Sequence, residues 1–482
     1  MQLWLQLSKK RCKSTSHPCL PLASRRVSHA QEQGIRTTLA PLKLPGFPPL
    51  AFAYTVNELG NWLGEIALAV LVFDETGSAL ATAALFLGMQ FLPALFAQGI
   101  VARVEVTGTR IGLPAIYATE AATFVALAVL ASDFLLPAIV LLAALDGTLA
   151  LAGRAFTRAA VAEVLRPSGQ LRAGNALLNI GFTVAGALGP LAGGLIVAGF
   201  DVETALLLNA ASFLLVAITL IVSRSVPNVK AEPERWWKRL REGLSYVGRQ
   251  VVLRRLLTAQ AVALVFFAGV VPVEIVYAKE TLDAGNSGYG TLLASWGIGM
   301  VAGSLIFAWA RRISLKPLLL VSTLAVGVSY IALSLADSLA VACIVAAVGG
   351  AGNGVQWVSV ISAIQGETEG DYQARVVGLM ESLAAIMPGL GFIMGGALTQ
   401  LLDPRASFLV AGLGIAAVSA LAVPLLGRLS WGAAGEPRAS TEDALSTAPA
   451  GGHVAAAQPA GAPKISVRDE QMTESTTAHS VT

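Results

Sequence analysis

The chain has 482 residues, of which 55% are hydrophobic and only 13% are charged, and its mean hydropathy is +0.68. A soluble domain carries roughly 25% charged residues to coat its surface, so this composition excludes a protein whose main solvent is water. The net charge of +3 is distributed in a way that fits membrane topology. We therefore expect no nucleic-acid partner.

The placement of cysteine and histidine limits the chemistry of the chain. Cys12, Cys19 and Cys343 offer no paired framework, so no structural disulfide is expected. All four histidines fall in the polar ends of the chain, which removes imidazole from any proton relay or metal site inside the membrane. We predict no metal site, no cofactor and no catalytic residue.

Both ends of the chain are polar. Residues 1–46 carry eight Lys or Arg residues against a single Glu, and we interpret them as a basic, poorly ordered cytoplasmic tail. The opening MQLWLQL precedes the KKRCK cluster and is too short for a signal peptide, and a mis-set start codon explains it equally well. Residues 429–482 have too little apolar bulk to offset the entropy of ordering, which predicts a disordered cytoplasmic tail.

Apolar blocks of about 20 residues recur between the tails, the length that a helix needs to cross ~30 Å of hydrocarbon. In the N-terminal half, 47–223, the predicted spans are 50–73, 78–101, 111–131, 134–156, 174–199 and 203–223. In the C-terminal half, 256–428, they are 256–278, 287–310, 315–335, 338–362, 376–400 and 405–427. The predicted fold class is an all-α membrane protein with twelve transmembrane helices.

Lys and Arg residues are distributed unequally between the loops. Alternate loops hold nineteen of them, whereas the opposite loops hold only Lys279 and Arg405. Cytoplasmic loops carry such an excess, so we predict that both termini are cytoplasmic. Arg154 and Arg158 are counted with the loops, which leaves no Lys or Arg for the middle of the membrane.

A basic linker, residues 224–255, joins the two halves. The segment EPERWWKRLREGLSYVGRQVVLRRL places basic and apolar residues at helical spacing, which predicts an amphipathic helix on the cytoplasmic membrane surface. Its run GLSYVGRQ superficially resembles a phosphate loop, but Arg249 and Gln250 stand where Lys and Ser or Thr are needed, and no strand precedes it. We expect no nucleotide to bind.

An internal repeat relates the two halves. A shift of 202 residues places GALGPLAGG (186–194) over PGLGFIMGG (388–396), and Asp201 then falls on Asp403. Because the repeat is parallel, we expect two six-helix halves around an axis along the membrane normal, with a cavity between them. A central cavity open to alternate sides is typical of a transporter.

The matched segments supply candidate residues for gating and helix packing. Gly189 and Gly193 lie one helical turn apart, which permits close helix approach, and Pro190 removes a backbone donor beside them. Tight packing alone and a seam that bends or slides during transport are equally supported. The full candidate set is Gly189, Pro190, Gly193, Gly194, Gly391 and Gly395.

Acidic residues inside the spans are the sharper functional signal, because an Asp or Glu at the bilayer centre costs roughly 2.5–3.5 kcal/mol. Glu58 and Glu65 share one face of the first helix about 10 Å apart, with Asn61 between them and Trp62 adjacent. Burial disfavours the charged form of a carboxyl group and so makes it easier for the group to take up a proton. Proton coupling requires carboxyl groups that gain and lose protons in this way. The competing interpretation is a buried hydrogen-bonded stripe that only fixes helix packing.

Other polar groups inside the spans are further candidates. Asp146 lies near the middle of the fourth span, and we assign it to the proton-coupling or substrate cavity with the first-helix residues. Glu120 and Glu381 are interpreted as structural. Weaker candidates for contact with a ligand are Gln260, Glu274, Asn353, Gln356 and Trp357.

Five segments of the sequence can be compared, in their order along the chain, with the motifs of a known family. ELGNWLGEIALAVLVFDETGSAL is followed by FTRAAVAEVLRPSGQLRAGNALLN, GALGPLAGG and REGLSYVGRQVVLRRL, and then by GGAGNGVQW. In this order they resemble the major facilitator superfamily over about residues 47–428, particularly its bacterial exporters of drugs, macrolides and siderophores. The resemblance implies that helices one, four, seven and ten line the cavity, which would place Glu58, Asn61, Glu65 and Asp146 on its wall and Glu120 outside it.

The cytoplasmic loop motif of that family is only partly matched. The family carries a glycine, then Asp-Arg and a basic run, between helices two and three, whereas this chain has QGIVARVEVTGTR. The acidic partner is lost or replaced by Glu105, so the charge relay of that loop is not assumed. The motif residues that the resemblance carries over are Gly99, Arg103, Arg110, Arg158 and Arg375.

The leading hypothesis is proton-coupled export of a small amphipathic organic compound by alternating access. The predicted partners are that compound, protons and the lipid bilayer. The resemblance supplies the direction of transport. The alternatives are an uptake or facilitated-diffusion carrier and, from another class, a membrane-embedded enzyme or a non-transporting sensor scaffold. Arg outnumbers Lys by 24 to 9, which is typical of a GC-rich bacterial genome, so we expect a bacterial plasma membrane protein.

Overall fold

The structure of the chain is a computed structural model that describes residues 39–93, 108–223, 225–228, 236–310, 313–369 and 372–426. The predicted C-terminal tail, most of the predicted N-terminal tail and the second span beyond residue 93 lie outside the described residues. Gly99, Arg103 and Glu105 of the partly matched loop lie outside them too.

Within the described residues, the bundle consists of twelve helices, which we name α1 to α12. The N-terminal half holds α1 (Phe47–Thr76), α2 (Ala79–Phe91), α3 (Thr109–Ser132), α4 (Leu136–Leu165), α5 (Leu171–Gly199) and α6 (Val202–Val222). The C-terminal half holds α7 (Val251–Thr281), α8 (Gly285–Trp309), α9 (Leu315–Ser334), α10 (Leu339–Glu367), α11 (Gln373–Leu401) and α12 (Pro404–Leu426). A linker helix, Trp236–Arg249, precedes α7.

The composition of these helices matches a lipid environment. Eleven of the described helices are long and apolar enough to cross a membrane, and the described part of α2 is a shorter apolar helix. Large apolar side chains remain on the outside of the bundle, as at Leu141 (69% exposed) and Ile221 (67% exposed). Helices that are apolar on every face are suited to burial in a bilayer. The predicted fold class is confirmed.

Local sequence explains where α1 begins and ends. It starts directly after Gly46, whose φ is +92°, and its first turn holds prolines, whose missing backbone donors have no intrahelical partner there. It ends at Gly77, whose φ of +56° is a left-handed conformation that glycine adopts without a Cβ penalty. The N–H of Gly77 donates to the carbonyl oxygen of Phe73 at 2.8 Å.

The internal repeat reappears in the capping of α6 and α12. Asp201 precedes α6, and its Oδ1 accepts the backbone N–H of Thr204 at 2.5 Å. Asp403, the matched residue of the second half, precedes α12 and accepts the backbone N–H of Ala406 at 2.7 Å. Each aspartate satisfies a backbone donor that a helix start leaves without a partner.

The halves meet at two equivalent seams, where α5 lies against α8 and α11 lies against α2. A Cβ on Gly194 of α5 would lie 2.7 Å from the Cα of Gly290 in α8, and one on Gly396 of α11 would lie 2.7 Å from the Cβ of Ala83 in α2. Both distances are too short for a side chain, so glycine permits these close approaches. Gly194 and Gly396 are matched by the repeat, which explains why the two seams correspond.

Contacts between the halves close one end of the bundle. Lys279 of α7 forms a salt bridge with Asp74 of α1, and Ser78 Oγ, at the start of α2, donates to Gln400 Oε1 of α11 at 3.3 Å. We call this the closed end and define it by these four residues. Odd-numbered helices finish there, and the linker helix belongs to the opposite end.

The linker helix is attached to the C-terminal half. Glu242 Oε2 of that helix lies 3.1 Å from Arg375 Nε at the start of α11. Tyr246 stacks on Tyr372 with ring centroids 4.2 Å apart, and its hydroxyl accepts the backbone N–H of Glu369 at 3.2 Å. The linker helix therefore moves with α11 if the halves move relative to each other.

Candidate functional site

A cavity of about 500 Å³ lies between the two halves. Its wall is formed by α1, α2, α4 and α5 from one half and by α7 to α11 from the other. The wall carries four carboxyl groups and one guanidinium group among the described residues. Its charged, amide and aromatic side chains are Glu58, Asn61, Trp62, Glu65, Gln90, Asp146, Arg154, Phe182, Phe267, Glu274, Trp296, Tyr330 and Asn353.

The polar stripe predicted on α1 faces this cavity. Glu58, Asn61, Trp62 and Glu65 all line its wall, because spacings of three, four and seven residues return to one face of a helix. The neighbouring face of α1 packs tightly, since a Cβ on Gly64 would lie 2.6 Å from a ring carbon of α3. This packing holds α1 in the rotation that presents the stripe to the cavity.

Glu58 forms an ion pair with Arg154 of α4. The Nε of Arg154 lies 3.5 Å from Oε1 of Glu58, whose side chain is only 3% exposed, whereas that of Arg154 is 36% exposed. Neither atom has a hydrogen-bond partner among the described residues, so the contact is ionic and longer than a hydrogen bond. Because the distance exceeds that of a charge-assisted hydrogen bond, the attraction between the two charges holds this pair.

Arg154 corrects the sequence analysis, which had counted it with a cytoplasmic loop and left no cation for the middle of the membrane. Arg154 stands only two residues before the predicted end of the fourth span, at 156, but the helix continues nine residues further to Leu165, so Arg154 lies well inside it and lines the cavity. Its charge acts on Glu58, Glu65 and Asp146 of the cavity wall. The signal that could have located it is the apolar helical pattern of residues 156–165, which carries the helix past the arginine.

Asp146 is the carboxyl group of α4 on the same wall. Its side chain is 4% exposed, and Oδ1 has no hydrogen-bond partner among the described residues. Gly147, the next residue, packs directly against the backbone carbonyl of Met89 in α2. That contact fixes α4 against α2 and aims the Asp146 side chain at the cavity.

Glu120 of α3 stands behind this wall. It is fully buried, both of its carboxylate oxygens have no hydrogen-bond partner in the described chain, and it interacts electrostatically with Asp146 and Arg154. Glu120 is not among the residues that line the cavity. This agrees with the position outside the cavity that the resemblance implied. Sequence reasoning missed its proximity to Asp146, because that proximity depends on how α3 packs on α4. For Glu381, the side chain lies outside the described residues.

Glu274 brings a carboxyl group from the C-terminal half. α7 is irregular there: Val271–Val273 form a 3₁₀ turn around Pro272, and Tyr277–Thr281 form a π turn. Such departures from α-helical winding change the direction of the side chains that follow. Glu274 lies between the two turns, lines the cavity, and interacts electrostatically with Glu65 of α1 across the interface between the halves.

The remaining ligand-contact candidates surround a second cavity of about 250 Å³ in the C-terminal half. Gln260, Asn353, Gln356 and Trp357 all lie on its wall. Gln356 Nε2 donates to Gln260 Oε1 at 2.7 Å, so the two buried amides satisfy each other. Asn353 lines both cavities.

An aromatic cluster separates the two cavities. Trp296 of α8 stacks on Tyr330 of α9 with ring centroids 5.4 Å apart, and Phe267 of α7 lies 5.8 Å from Trp296. Phe267 lines both cavities, and Trp296 and Tyr330 line the larger one. The cluster presents apolar faces beside the carboxyl groups.

The glycines of the repeat lie at helix contacts. Cβ atoms on Gly189 and Gly193 would lie 2.6 Å and 3.1 Å from the Cβ atoms of Trp62 and Ile66 in α1. In the other half, Gly391 and Gly395 pack directly on backbone carbonyls of α7. The Pro190 carbonyl borders Gly290 of α8. Each half therefore packs its fifth helix on its own first helix, with Trp62 held on the cavity side.

The described residues of the cytoplasmic loop motif lie away from the cavity. Arg110 is exposed in the first turn of α3, where its backbone N–H donates to Asn228 Oδ1 at 3.4 Å. Arg158 donates to the hydroxyl of Tyr54 at 3.2 Å, and Arg375 contacts the linker helix. These contacts join neighbouring elements at the end opposite the closed end.

Known protein sequences match this chain over most of its length. The model of the transmembrane secretion effector family matches residues 36–429. The multidrug efflux pump Tap of Mycobacterium tuberculosis strain H37Rv is 26% identical over 412 residues, which cover 78% of this chain and 92% of the pump. The pump of the same name from Mycolicibacterium fortuitum is 26% identical over 396 residues, 78% of this chain and 94% of the pump.

Solved structures support the fold alone. The nucleoside transporter NupG has a TM-score of 0.60 at 12% identity, and the match covers 80% of this chain and 99% of its own. The peptide transporter POT, solved in complex with sulfate, has a TM-score of 0.63 at 14% identity, with 81% of this chain and 96% of its own covered. Both matches extend over most of the chain.

Proposed function

The chain belongs to the transmembrane secretion effector family of the major facilitator superfamily, and from this we propose that it exports small amphipathic organic compounds in exchange for protons. A member of this family is a membrane transporter and not an enzyme, so the hypotheses of a membrane-embedded enzyme and of a sensor scaffold are set aside. The relatives named as multidrug efflux pumps favour export over uptake.

The observation that supports proton coupling is the ion pair of Glu58 and Arg154 beside the further carboxyl groups of the cavity wall. A proton that binds Glu58 removes the charge that holds Arg154, whose guanidinium then acts on Glu65 and Asp146. One cation shared by several buried carboxyl groups links the protonation of each to the others. A substrate that competes for the same carboxyl groups would therefore displace protons.

The direction of access follows from the charges of the loops. The closed end carries few basic residues, and its two described cations are both paired, Lys279 with Asp74 and Arg405 with Asp337. We assign this end to the outside of a bacterial plasma membrane and place both termini in the cytoplasm. With the outer end closed, the cavity receives its substrate from the cytoplasm, and the glycine seams α5–α8 and α11–α2 slide or open to release it.

The domain limits proposed from the sequence fit this assignment. The two halves, 47–223 and 256–428, each supply one wall of the cavity, and the linker 224–255 contributes the linker helix on the cytoplasmic side. The tails 1–46 and 429–482 are proposed to lie in the cytoplasm.

The experiment is proton movement in sealed proteoliposomes with a pH-sensitive dye inside, tested against a panel of amphipathic compounds. Wild type is compared with Glu58→Gln and Glu65→Gln, and with Glu163→Gln as a control, since Glu163 is an exposed acid on α4. We expect compound-dependent proton flux in wild type and in the control, and its loss in both cavity variants.

Two results would contradict the proposal in different ways. Unchanged proton flux in Glu58→Gln and Glu65→Gln would remove the coupling site from α1. Exchange of a compound without any proton flux would identify a facilitated-diffusion carrier.

A further inference from the structure

The second cavity differs from the first in charge. It is lined by α5 and by five helices of the C-terminal half, and none of its described lining residues is charged. Its wall consists of apolar and aromatic groups with a few amides and one hydroxyl group. The paired amides Gln260 and Gln356 leave that wall neutral and hydrogen-bonded. Such a wall accepts an apolar body and rejects a bare charge.

The two cavities adjoin. Phe182, Phe267, Met300 and Asn353 line both of them. A molecule that extends past these shared side chains would reach from the carboxyl groups of the first cavity into the neutral second cavity. Phe267 and its neighbour Trp296 lie along this route and offer aromatic faces to both parts of such a molecule.

The first cavity has an excess of acidic groups. Among the described residues, four carboxyl groups line it against the single guanidinium group of Arg154, which forms its ion pair with Glu58. Glu65 and Glu274 line the cavity from opposite halves and interact electrostatically, and among the described residues neither forms an ion pair. Independently, Asp146 is 4% exposed, lines the cavity, and leaves Oδ1 without a hydrogen-bond partner in the described part of the chain. A wall of this kind is complementary to a cation.

We propose that the substrate is an organic monocation with a bulky apolar body, bound with its charge between Glu65 and Glu274 and its body in the neutral second cavity. This inference rests on the proposed function, since it names the substrate class of the same site. Trp62, Trp296 and Tyr330 add aromatic faces on which a cation is stabilised. A cation held between Glu65 and Glu274 touches both halves, so its binding is sensitive to their separation.

Equilibrium binding tests this inference without measuring transport. The full chain in lipid nanodiscs is titrated with tetraphenylphosphonium, a permanent cation, and with triphenylphosphine oxide, a neutral counterpart, and protein-free nanodiscs correct for partition into lipid. We expect wild type to bind the cation at least about tenfold more tightly than the neutral compound. Glu274→Gln should lose at least about tenfold for the cation and nothing for the neutral compound.

Three further variants test the contributions of the charge and of the apolar body separately. Ala263→Phe places a ring in the second cavity and should weaken both compounds by a similar factor. Glu163→Gln, on an exposed position of α4, should change neither. Glu274→Asp retains the charge and should keep most of the preference for the cation.

Equal affinity of wild type for the two compounds, or an unchanged affinity of Glu274→Gln for the cation, would overturn the inference. If Glu274→Gln does not purify as a monodisperse protein, the wild-type comparison decides alone. A protein that binds the cation selectively but moves no protons would contradict antiport and leave this inference standing. A protein that exchanges protons for neutral compounds only would support antiport and overturn this inference.

Discussion

The two walls of the central cavity differ in charge, although they come from repeats of one six-helix plan. The N-terminal wall holds Glu58, Glu65 and Asp146 around Arg154, whereas the described C-terminal wall is neutral except for Glu274. The buried polar pair of the first half is an ion pair, and that of the second half is a pair of amides, Gln260 and Gln356. The repeat therefore preserves packing and leaves the chemistry of each half free to differ.

From this difference we infer that the two halves have separate roles in transport. Groups that gain and lose protons belong to the N-terminal wall, and the larger share of contact with an apolar substrate belongs to the C-terminal wall. Glu274 is the exception that connects the two, because it interacts electrostatically with Glu65 across the interface between the halves. Substitutions in the ion pair, the seam, the amide pair and the helix caps test how far this division holds.

The largest effect is expected for Arg154→Gln. It leaves Glu58, 3% exposed, without its counter-charge, so export should be lost. Unfolding should become easier by about 1–3 kcal/mol, below the 3–5 kcal/mol of a fully buried pair because Arg154 is 36% exposed. The double variant Glu58→Gln with Arg154→Gln should regain stability but not export.

Thermal unfolding and proteoliposome transport measure these two quantities. Arg166→Gln is the control, since Arg166 is exposed at the end of the same helix. Full export by Arg154→Gln would show that the ion pair is structural and would remove the distinction between the two walls.

The second effect concerns the seam at which the two halves meet. Gly194→Leu forces a side chain into the backbone of α8 at Gly290, which should destabilise the protein by roughly 1–3 kcal/mol and block movement between the halves. Gly199→Leu at the end of α5 is the matched control, because among the described residues no atom lies within 4 Å of a Cβ there. Equal melting temperatures and equal export for both variants would refute a close-packed, functional seam.

A smaller effect on transport is expected for the pair of amides in the C-terminal half. Gln356→Leu leaves the buried amide of Gln260 without its partner, which should cost about 1–3 kcal/mol in stability or binding. The double variant Gln260→Leu with Gln356→Leu should recover most of that loss. Proton flux per transported molecule should stay at the wild-type value in both variants. A change in that ratio would place coupling chemistry in the C-terminal wall.

The smallest effect compares the two matched helix caps, Asp201 and Asp403. Asp201→Ala and Asp403→Ala each remove one capping hydrogen bond, so we expect melting temperatures lower by a few degrees and unchanged export. The hydrogen bond from the backbone of Thr204 lowers the pKa of Asp201.

The pH dependence of the Asp201 cap follows from that lowered pKa. Its stabilisation is fully present above the ordinary Asp pKa of about 4 and is lost as pH falls through the lowered pKa. The difference in melting temperature between wild type and Asp201→Ala should shrink accordingly in acid. A difference that grows in acid would contradict the cap.

The sequence predicts those features that depend on one helix alone. The stripe of Glu58, Asn61 and Glu65 follows from helical spacing, and the cavity wall is where those side chains lie. Most predicted spans agree with the described helices to within a few residues, because apolar length determines them. The paired caps Asp201 and Asp403 follow from the repeat.

Features that depend on packing between helices were not predictable. Arg154 was counted with a loop because it stands two residues before the predicted end of its span, and a count of charges cannot show that α4 continues to Leu165 or that Arg154 pairs with Glu58 of α1. The proximity of Glu120 to Asp146 requires the contact of α3 with α4. Glu274 was named only as a weaker candidate, because its position on the cavity wall depends on two irregular turns of α7, of which only Pro272 is visible in the sequence.

The central claim is that substrate and protons compete for carboxyl groups of the N-terminal wall. Its most direct test is the release of protons when tetraphenylphosphonium binds to the purified full chain in weakly buffered solution, followed with a pH indicator. We expect proton release on binding in wild type and much less release in Glu58→Gln and Glu65→Gln at equal occupancy. Binding of the cation to wild type without any release of protons would contradict it.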